Sequence, residues 1–482
     1  MFISEAILDI KTYLINKFKD KDCRVLGFGR SNRPLVEILL SAGARVTVHD
    51  GDNDILNEEQ TQEFISRGAN FSVGEGYLHS LGGDYIFRSP GIRPDLPEIT
   101  EAVNNGAELT SEMELFFEVC PCLIIGITGS DGKTTTTTIT HLLLETEFKK
   151  SGKGMAYVGG NIGAPLLPLV FEMTEDDVAV VELSSFQLQT MKQSPSRAVI
   201  TNMSPNHLNW HTDMGEYVVA KRNICSHSGI EHLVVNRENV ITHGIAQSCD
   251  VCTTYFSSTR SSYEEIEPIL KKNCSAVYED GGIIYFDDGK DREPILKVSD
   301  ILLPGIHNVE NYMAAIAVTR GLVSADTVVK VASSFGGVEH RLEFVRERNG
   351  VKYYNSSIDS SPTRTSAALS AIGKAPVIIC GGSEKNVSFE GLAIDLCTRV
   401  KAVVLTGQSA PHILAEIEKC PSYDKEKLIV KHIPNFDEAV LAAAGIAEEG
   451  DIVLLSPACA SFDAFKNFEE RGNRFKTIIN GL

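Results

Sequence analysis

Positive charge is in short supply: 45 lysine and arginine residues stand against 64 aspartates and glutamates, a formal net charge of -19. That balance excludes a broad phosphate-gripping surface for nucleic acid, so anionic ligands must be held by local devices. Long hydrophobic runs are missing as well. No stretch of about 18 apolar residues occurs, and the opening MFISEAILDIKTYLINKFKDKD reads as a lysine-bearing amphipathic helix without the small-residue cleavage site of a signal peptide. No membrane insertion is expected. The 11 cysteines, odd in number and scattered, make no disulfide framework and suit a reducing compartment. Cys249 and Cys252 have CxxC spacing, but the second pair that a zinc site needs is missing, which leaves structural or incidental thiols. The chain is expected to be soluble, cytoplasmic and monomeric.

What is present is ordinary globular material, 482 residues with 43% hydrophobic and 23% charged side chains, enough for about three domains. In the first hundred residues CRVLGFG, SNRPLVEILLSAG, ARVTVHD and GDYIFRSPG follow one another as strand, helix, strand and strand in Rossmann-like order. A second unit opens at PCLIIGITGSDGKTTTTTITHLLL and continues through AVVELSSFQL and RAVITNMSP. Between Val251 and Leu296, the runs CTTYFSS, SAVYEDGGIIYFDDG and EPILKVS predict small antiparallel strands inserted in this unit. A helix follows at HNVENYMAAIAVTRGLV. The stretch SSFGGVEHRLEFVRERNGVKYYNSS reads as a hinge into a third unit, where APVIICGGS, AVVLTG and DIVLLSP alternate with helices.

The motif with the clearest chemistry is GITGSDGKT at 126–134, which leaves the apolar strand LIIGI and opens a threonine-rich helix, the context of a P-loop. Gly129 and Gly132 admit backbone N–H groups close to phosphate oxygens, in a turn completed by Ser130, Asp131 and Thr135. The helix N-terminus favours negative charge, Lys133 can bridge β- and γ-phosphates, and Thr134 can ligate Mg²⁺. The common G-x-x-x-x-G-K spacing would put glycine at 127, where Ile127 stands. In the first domain Gly27 and Gly29, with Asp50 about twenty residues on, suggest a dinucleotide fold, but Asn32 replaces the glycine that closes G-x-G-x-x-G. A nicotinamide, another diphosphate such as a UDP-sugar, or a turn that binds nothing all stay open on those residues. The fold class is α/β in three domains: Rossmann-like at 1–111, P-loop ATPase-like at 112–337 and Rossmann-like at 338–482.

The T-G-x-x-G-K-T form is similar to that of the Mur ligase and folylpolyglutamate synthase superfamily. Further signatures follow in order: GGNIG at 159–163, ELSSFQL at 182–188, NMSPNHLNWH at 202–211, YVVAKRNI around Lys221, and LPGIHNVEN at 303–311. GVEHRLEFV at 337–345, GGSEK at 381–385 and LSPACASFDAFKNFEERGNRF ending at Phe475 complete the set. Over nearly its whole length the chain resembles the Mur ligases, and ELSSFQL with SPACASFDAFKNFEERG point to those that add D-glutamate. The resemblance implies ATP-dependent joining of D-glutamate to UDP-N-acetylmuramoyl-L-alanine through an acyl phosphate, in peptidoglycan precursor synthesis. Activating a carboxylate in this way asks the protein mainly for positioning and for cationic stabilisation of the transferring phosphoryl group.

By the same resemblance, Lys133, Glu182, His207 and Lys221 carry the chemistry. Thr134 and Glu182 hold one Mg²⁺, and His207 holds a second with Lys221, modified by CO₂ to a carbamate. Asn311, His340 and Arg341 contact ATP beside the 129–135 loop. Gly29, Arg30, Ser31, Asp50, Ser89, Pro90, Gly91, Asn161 and Ser184 serve the UDP-linked substrate, and His340, Thr363, Lys385, Ser461 and Phe468 the amino acid. Departures from the pattern are Asp131 for asparagine, Asn206 and Asn209 for aspartate, Glu384 for aspartate, and Ser356 where an aspartate usually meets the ATP ribose. A folate glutamate ligase or a nucleotide-gated switch are the competing functions, and the two D-glutamate signatures argue against the first.

Overall fold

Short β-branched runs separated by amphipathic helices build three sheets. The computed structural model describes residues 2–206, 210–259, 263–272, 274–303, 305–383 and 387–482. His207 and Lys385 therefore lie outside the described residues. The chain divides into two compact units, Met1–Ser334 and Phe335–Leu482, with the border inside the stretch read as a hinge.

The first unit begins with a five-stranded parallel sheet. Its strands are β1 (Asp22–Leu26), β2 (Arg45–Asp50), β3 (Asn70–Val73), β4 (Tyr85–Arg88) and β5 (Glu108–Thr110), in the order β3-β2-β1-β4-β5. The order reverses at β1 and β4, which opens a crevice at their carboxyl ends, the usual place for a ligand in such sheets. The second sheet contains β6 (Leu123–Thr128), β7 (Ala156–Gly160), β8 (Val178–Glu182), β9 (Arg197–Ile200), β10 (His232–Asn236), β11 (Cys252–Ser257), β12 (Ser275–Asp280), β13 (Ile283–Asp287) and β14 (Arg292–Lys297). These run in the order β14-β13-β12-β11-β10-β9-β6-β8-β7. Val25, Leu39, Phe116, Leu167 and Val181 belong to one core fed by both sheets.

The stretch 251–296 is not the antiparallel insertion expected from its sequence. β11 and β12 extend the central sheet in parallel, joined by the helix Tyr263–Leu270, and only β13 and β14 run antiparallel at its edge. Both parallel strands are buried along most of their length, as strands covered on two faces must be. The EDGG signal marks a true hairpin turn, with Gly281 and Gly282 at φ of 60° and 85°, but it governs only the β12–β13 connection.

In the second unit β15 (Glu343–Arg348), β16 (Val351–Asn355), β17 (Val377–Gly381), β18 (Ala402–Thr406), β19 (Ile429–His432) and β20 (Ile452–Leu455) lie in the order β15-β16-β20-β17-β18-β19. Only the β15–β16 hairpin is antiparallel. Helices cover both faces, with Ile378, Leu396 and Ile413 in one core and Ile379, Phe436 and Phe475 in the other. No helix among the described residues is long and apolar enough to cross a membrane.

Arg471, in the helix Phe468–Gly481, is 2% exposed and staples this unit. Its Nη1 donates to Ala460 O at 3.0 Å, its Nη2 to Ser357 O at 2.9 Å and Cys459 O at 3.0 Å, and its Nε to Ser357 Oγ at 3.0 Å. Burial pushes the guanidinium pKa down to about 10. A lysine has one donor head and cannot span these acceptors. Arg471→Lys is expected to lower the unit's stability by about 2–4 kcal/mol, read as a shifted midpoint in urea unfolding; an unmoved midpoint would refute the staple.

Candidate functional site

The carboxyl ends of β6, β8 and β9 converge in the first unit. β6 runs into the 129–132 turn and then the helix Lys133–Ser151. Gly129 holds φ 146°, and a Cβ there would collide with Thr201 Oγ1; Gly132 holds φ 79° beside Asn311. Ser130 N donates to Asn202 O and Asp131 N to Asn202 Oδ1, both at 2.9 Å, while Thr201 Oγ1 donates to Asp131 O at 2.6 Å. The turn is thus held from the β9 side, leaving its inner face to the backbone. Lys133 Nζ folds over the turn and donates to Gly129 O and Ser130 O, each at 2.9 Å. Thr134 and Thr135 lie half-buried in the first helical turn. Asn311, on the helix Ile306–Val318, accepts from Thr136 Oγ1 at 3.1 Å and so reaches the same helix start.

Glu182 closes β8 and is 1% exposed. Its Oε1 accepts from Asn161 Nδ2 at 2.7 Å, and its backbone O accepts from Asn161 N at 2.9 Å. Its Oε2 is buried with no hydrogen-bond partner. An orphaned carboxylate oxygen costs several kcal/mol in an apolar interior, so this atom fits a cation. Lys221, on the helix Met214–Arg222, is also 1% exposed. Its Nζ donates to Thr128 Oγ1 at 3.1 Å and lies 5.0 Å from the Tyr217 ring centre. Burial, and then the charge of Lys133, hold its pKa well below the ordinary lysine range, against the pull of Glu182 and Asp131. Among the described residues no group of three or more His, Cys, Asp or Glu side chains could hold a metal ion. The free oxygen of Glu182 is a hard donor, and hard oxygens suit Mg²⁺, which keeps several waters of its own.

Ser184 has a different occupation. It caps the short helix Ser185–Leu188, accepting from Gln187 N at 3.2 Å and donating to Gln187 Oε1 at 2.9 Å. In the crevice of the first sheet, Gly29 and Arg30 are exposed, Ser31 caps the helix Asn32–Ser41 without a side-chain bond, and Ser89 stands against Gly27. Pro90 and Gly91 continue that loop. Asp50 is turned to the β1 end, accepting from Phe28 N at 2.6 Å. Asn32 fills the place of the expected glycine with a working side chain: its Nδ2 donates to Gly27 O at 2.8 Å and Leu26 O at 3.2 Å. Arg88, buried at the end of β4, donates to Ile92 O at 2.6 Å, Phe186 O at 2.8 Å and Thr190 Oγ1 at 3.1 Å. It joins the Ser89–Gly91 loop to the ELSSFQL segment, and it did not stand out in the sequence. The signal was there in FRSPG, an arginine ending an apolar strand.

In the second unit His340 is buried at φ 63°, accepts from Asn355 Nδ2 at 3.0 Å through Nδ1, and meets the Phe468 ring edge-on at 5.8 Å. Burial lowers its pKa. Ser461 is buried, Thr363 exposed, and Arg341 half-buried on the His340 loop. His340 and Phe468 are brought together; Thr363 stands on the separate helix Pro362–Ile372.

Residues 127–319 match the family model of the Mur ligase middle domain, and 340–459 that of the Mur ligase glutamate ligase domain. The UDP-N-acetylmuramoylalanine--D-glutamate ligase of Acetivibrio thermocellus is 45% identical over 474 residues, covering 97% of this chain and 97% of the relative. The chain belongs to the Mur ligase family. The ligase of the same description from Clostridium novyi is 45% identical over 473 residues, 97% of this chain and 99% of its own. Among solved structures, the UDP-N-acetylmuramate-alanine ligase of Thermotoga maritima shares the fold at 17% identity with a TM-score of 0.53, covering 96% of this chain and 99% of that one.

The packing of Gly129 yields a direct expectation. Gly129→Ala must push the turn off Thr201, and is expected to cut ATP-dependent phosphate release by about 10²-fold or more. Turnover within tenfold of the unchanged protein would show that backbone approach at this turn is not needed.

Proposed function

We propose that this chain is the ATP-dependent ligase that joins D-glutamate to UDP-N-acetylmuramoyl-L-alanine in the cytoplasm, supplying peptidoglycan synthesis. The observation that carries the reading is likeness along the whole chain to D-glutamate ligases, together with the placement of Lys133, Glu182 and Lys221 at the neighbouring ends of β6 and β8. The three sheets support domains at 1–111, 112–337 and 338–482, the first and last Rossmann-like and the middle one a P-loop domain. Gly29, Arg30, Ser31, Asp50 and the Ser89–Gly91 loop border the crevice assigned to the UDP group. Asn161 and Ser184, just after β7 and β8, serve the acyl group in this reading.

The backbone N–H groups of 129–134 and the start of the helix hold the ATP phosphates. Lys133 leaves its loop carbonyls for the β- and γ-phosphate oxygens and offsets the charge spread over the phosphoryl group. Thr134 and the free Oε2 of Glu182 would hold Mg²⁺, which when bound would supply positive charge to offset that of the phosphates. The substrate carboxylate attacks the γ-phosphorus, ADP leaves, and the amine of D-glutamate then displaces phosphate from the acyl phosphate. Asn161 keeps Oε1 of Glu182 occupied, so Oε2 is the oxygen left for the cation. His340, Thr363, Ser461 and Phe468, with Lys385, form the amino-acid pocket, where a cation must face the incoming carboxylates.

Lys221 in this reading is a carbamate. Its neutral amine adds to CO₂ with release of one proton and becomes an anionic carbamate, whose oxygen would hold a second Mg²⁺ together with His207. The low pKa of the buried ammonium supports the step, because only the free amine reacts.

Two measurements test the proposal. Purified protein with ATP, Mg²⁺ and UDP-N-acetylmuramoyl-L-alanine is expected to release phosphate and form an amide with D-glutamate at least about tenfold faster than with L-glutamate. Absence of amide with either enantiomer would overturn the assignment. Lys221→Ala is expected to lose about 10²-fold or more in rate, with partial recovery on adding short-chain carboxylic acids; near-normal unaided activity would remove the carbamate.

A further inference from the structure

The His340 loop of the second unit is strained. His340 and Leu342 hold φ of 63° and 42°, left-handed values that side chains other than glycine adopt at an energetic cost. The loop persists because it is tied on several sides. His340 N donates to Glu343 Oε2 at 2.9 Å, His340 O accepts from Ile358 N at 3.1 Å, and Leu342 N donates to Ser356 Oγ at 3.1 Å. Arg341 rides between the two strained residues.

Ser356 follows β16 and is fully buried, and its side chain is hydrogen-bonded to the carboxyl group of Asp359. That carboxyl group is 6% exposed. Its Oδ2 accepts from Ser456 Oγ at 2.8 Å, where the chain leaves β20, and Asp359 N donates to Ser356 O at 3.0 Å. Thr365 Oγ1 lies 2.9 Å from the same Ser456 hydroxyl. The guanidinium groups of Arg341, Arg364 and Arg471 all face Asp359; burial is the strongest influence on it and raises its pKa. A buried carboxylate thus sits at the carboxyl ends of two adjacent strands, where open α/β sheets gather their ligands. A serine hydroxyl alone cannot both accept from the Leu342 amide and supply negative charge. Here the two tasks are divided: Ser356 takes the amide, and Asp359 orients that hydroxyl and carries the charge.

We infer that Asp359 is a positioning residue for nucleotide binding, acting through Ser356 on the strained His340–Leu342 loop and through its charge on the Arg341 guanidinium. The inference rests on the ATP-dependent reading given above. It makes Asp359 and Ser356 one device, so that neither can be judged alone.

The test uses the full-length protein. Asp359→Asn keeps the shape and removes the charge, and is expected to raise the KM for ATP and weaken ADP binding in calorimetry about tenfold, with kcat and the KM for D-glutamate within about twofold. The combined change Ser356→Asp with Asp359→Ala returns a carboxylate beside the Leu342 amide, and is expected to bring the KM for ATP back to within about threefold of the unchanged protein. Losses from Arg341→Ala and Asp359→Asn are expected to be non-additive, since one acts through the other. An unchanged KM for ATP in Asp359→Asn overturns the inference. So does a combined variant that stays at the single-variant level, or a parallel rise in every KM with a lowered Tm, the signature of a carboxylate that only stabilises the fold. ADP binding is read without ligation, so a protein that binds ADP but joins no D-glutamate would sink the functional reading and leave this test intact.

Discussion

One threonine hydroxyl holds the first site together. Thr128, the last residue of β6, donates its hydroxyl proton to Leu183 O at 2.7 Å and accepts from Lys221 Nζ at 3.1 Å, while its carbonyl accepts from Thr201 N at 3.0 Å. Three strand ends and a helix-borne lysine are registered against this one residue. Because that residue is fully buried, each bond forms in a medium where leaving it unmade is expensive. The turn at 129–132 departs from this anchored point, so its geometry is inherited from the sheet rather than from the loop's own residues.

The same logic explains the charges nearby. Lys133, Lys221, Glu182 and Asp131 are crowded at the end of a sheet, two amines set against two carboxylates. The first three each also have a neutral partner: loop carbonyls for Lys133, a hydroxyl for Lys221, an amide for Glu182. These contacts are ones that an anionic ligand and a cation can replace without rebuilding the backbone. The site is electrostatically unfinished, and that is what makes it receptive.

Much of this was legible in the sequence, and the exceptions have physical causes. The 126–134 turn announces itself because strand, glycines, lysine and helix must occur in series for backbone amides to approach phosphate. β3 and β5 escaped because at four and three residues they are too short for a periodicity to develop. β11 and β12 were misread since a hairpin signal is local, whereas parallel pairing is decided by burial on both faces. Asn32 looked like a defect in a glycine pattern, yet its amide donates to two loop carbonyls, which a glycine could not do. Thr128 and Arg88 act across residues far apart in the chain, and single-sequence patterns hold no record of that. Two of the expected site residues, His207 and Lys385, fall outside the described residues.

The order of strands in the second unit has a consequence for synthesis. β20 follows the other five along the chain, yet it lies in the middle of the sheet, paired with both β16 and β17. As the polypeptide leaves the ribosome, β16 and β17 wait with open edges through some seventy further residues, until Ile452–Leu455 emerges and is inserted between them. Such edges invite pairing with other chains. The unit therefore folds late and at once, and a nascent chain stalled before residue 452 would be a natural client for chaperones.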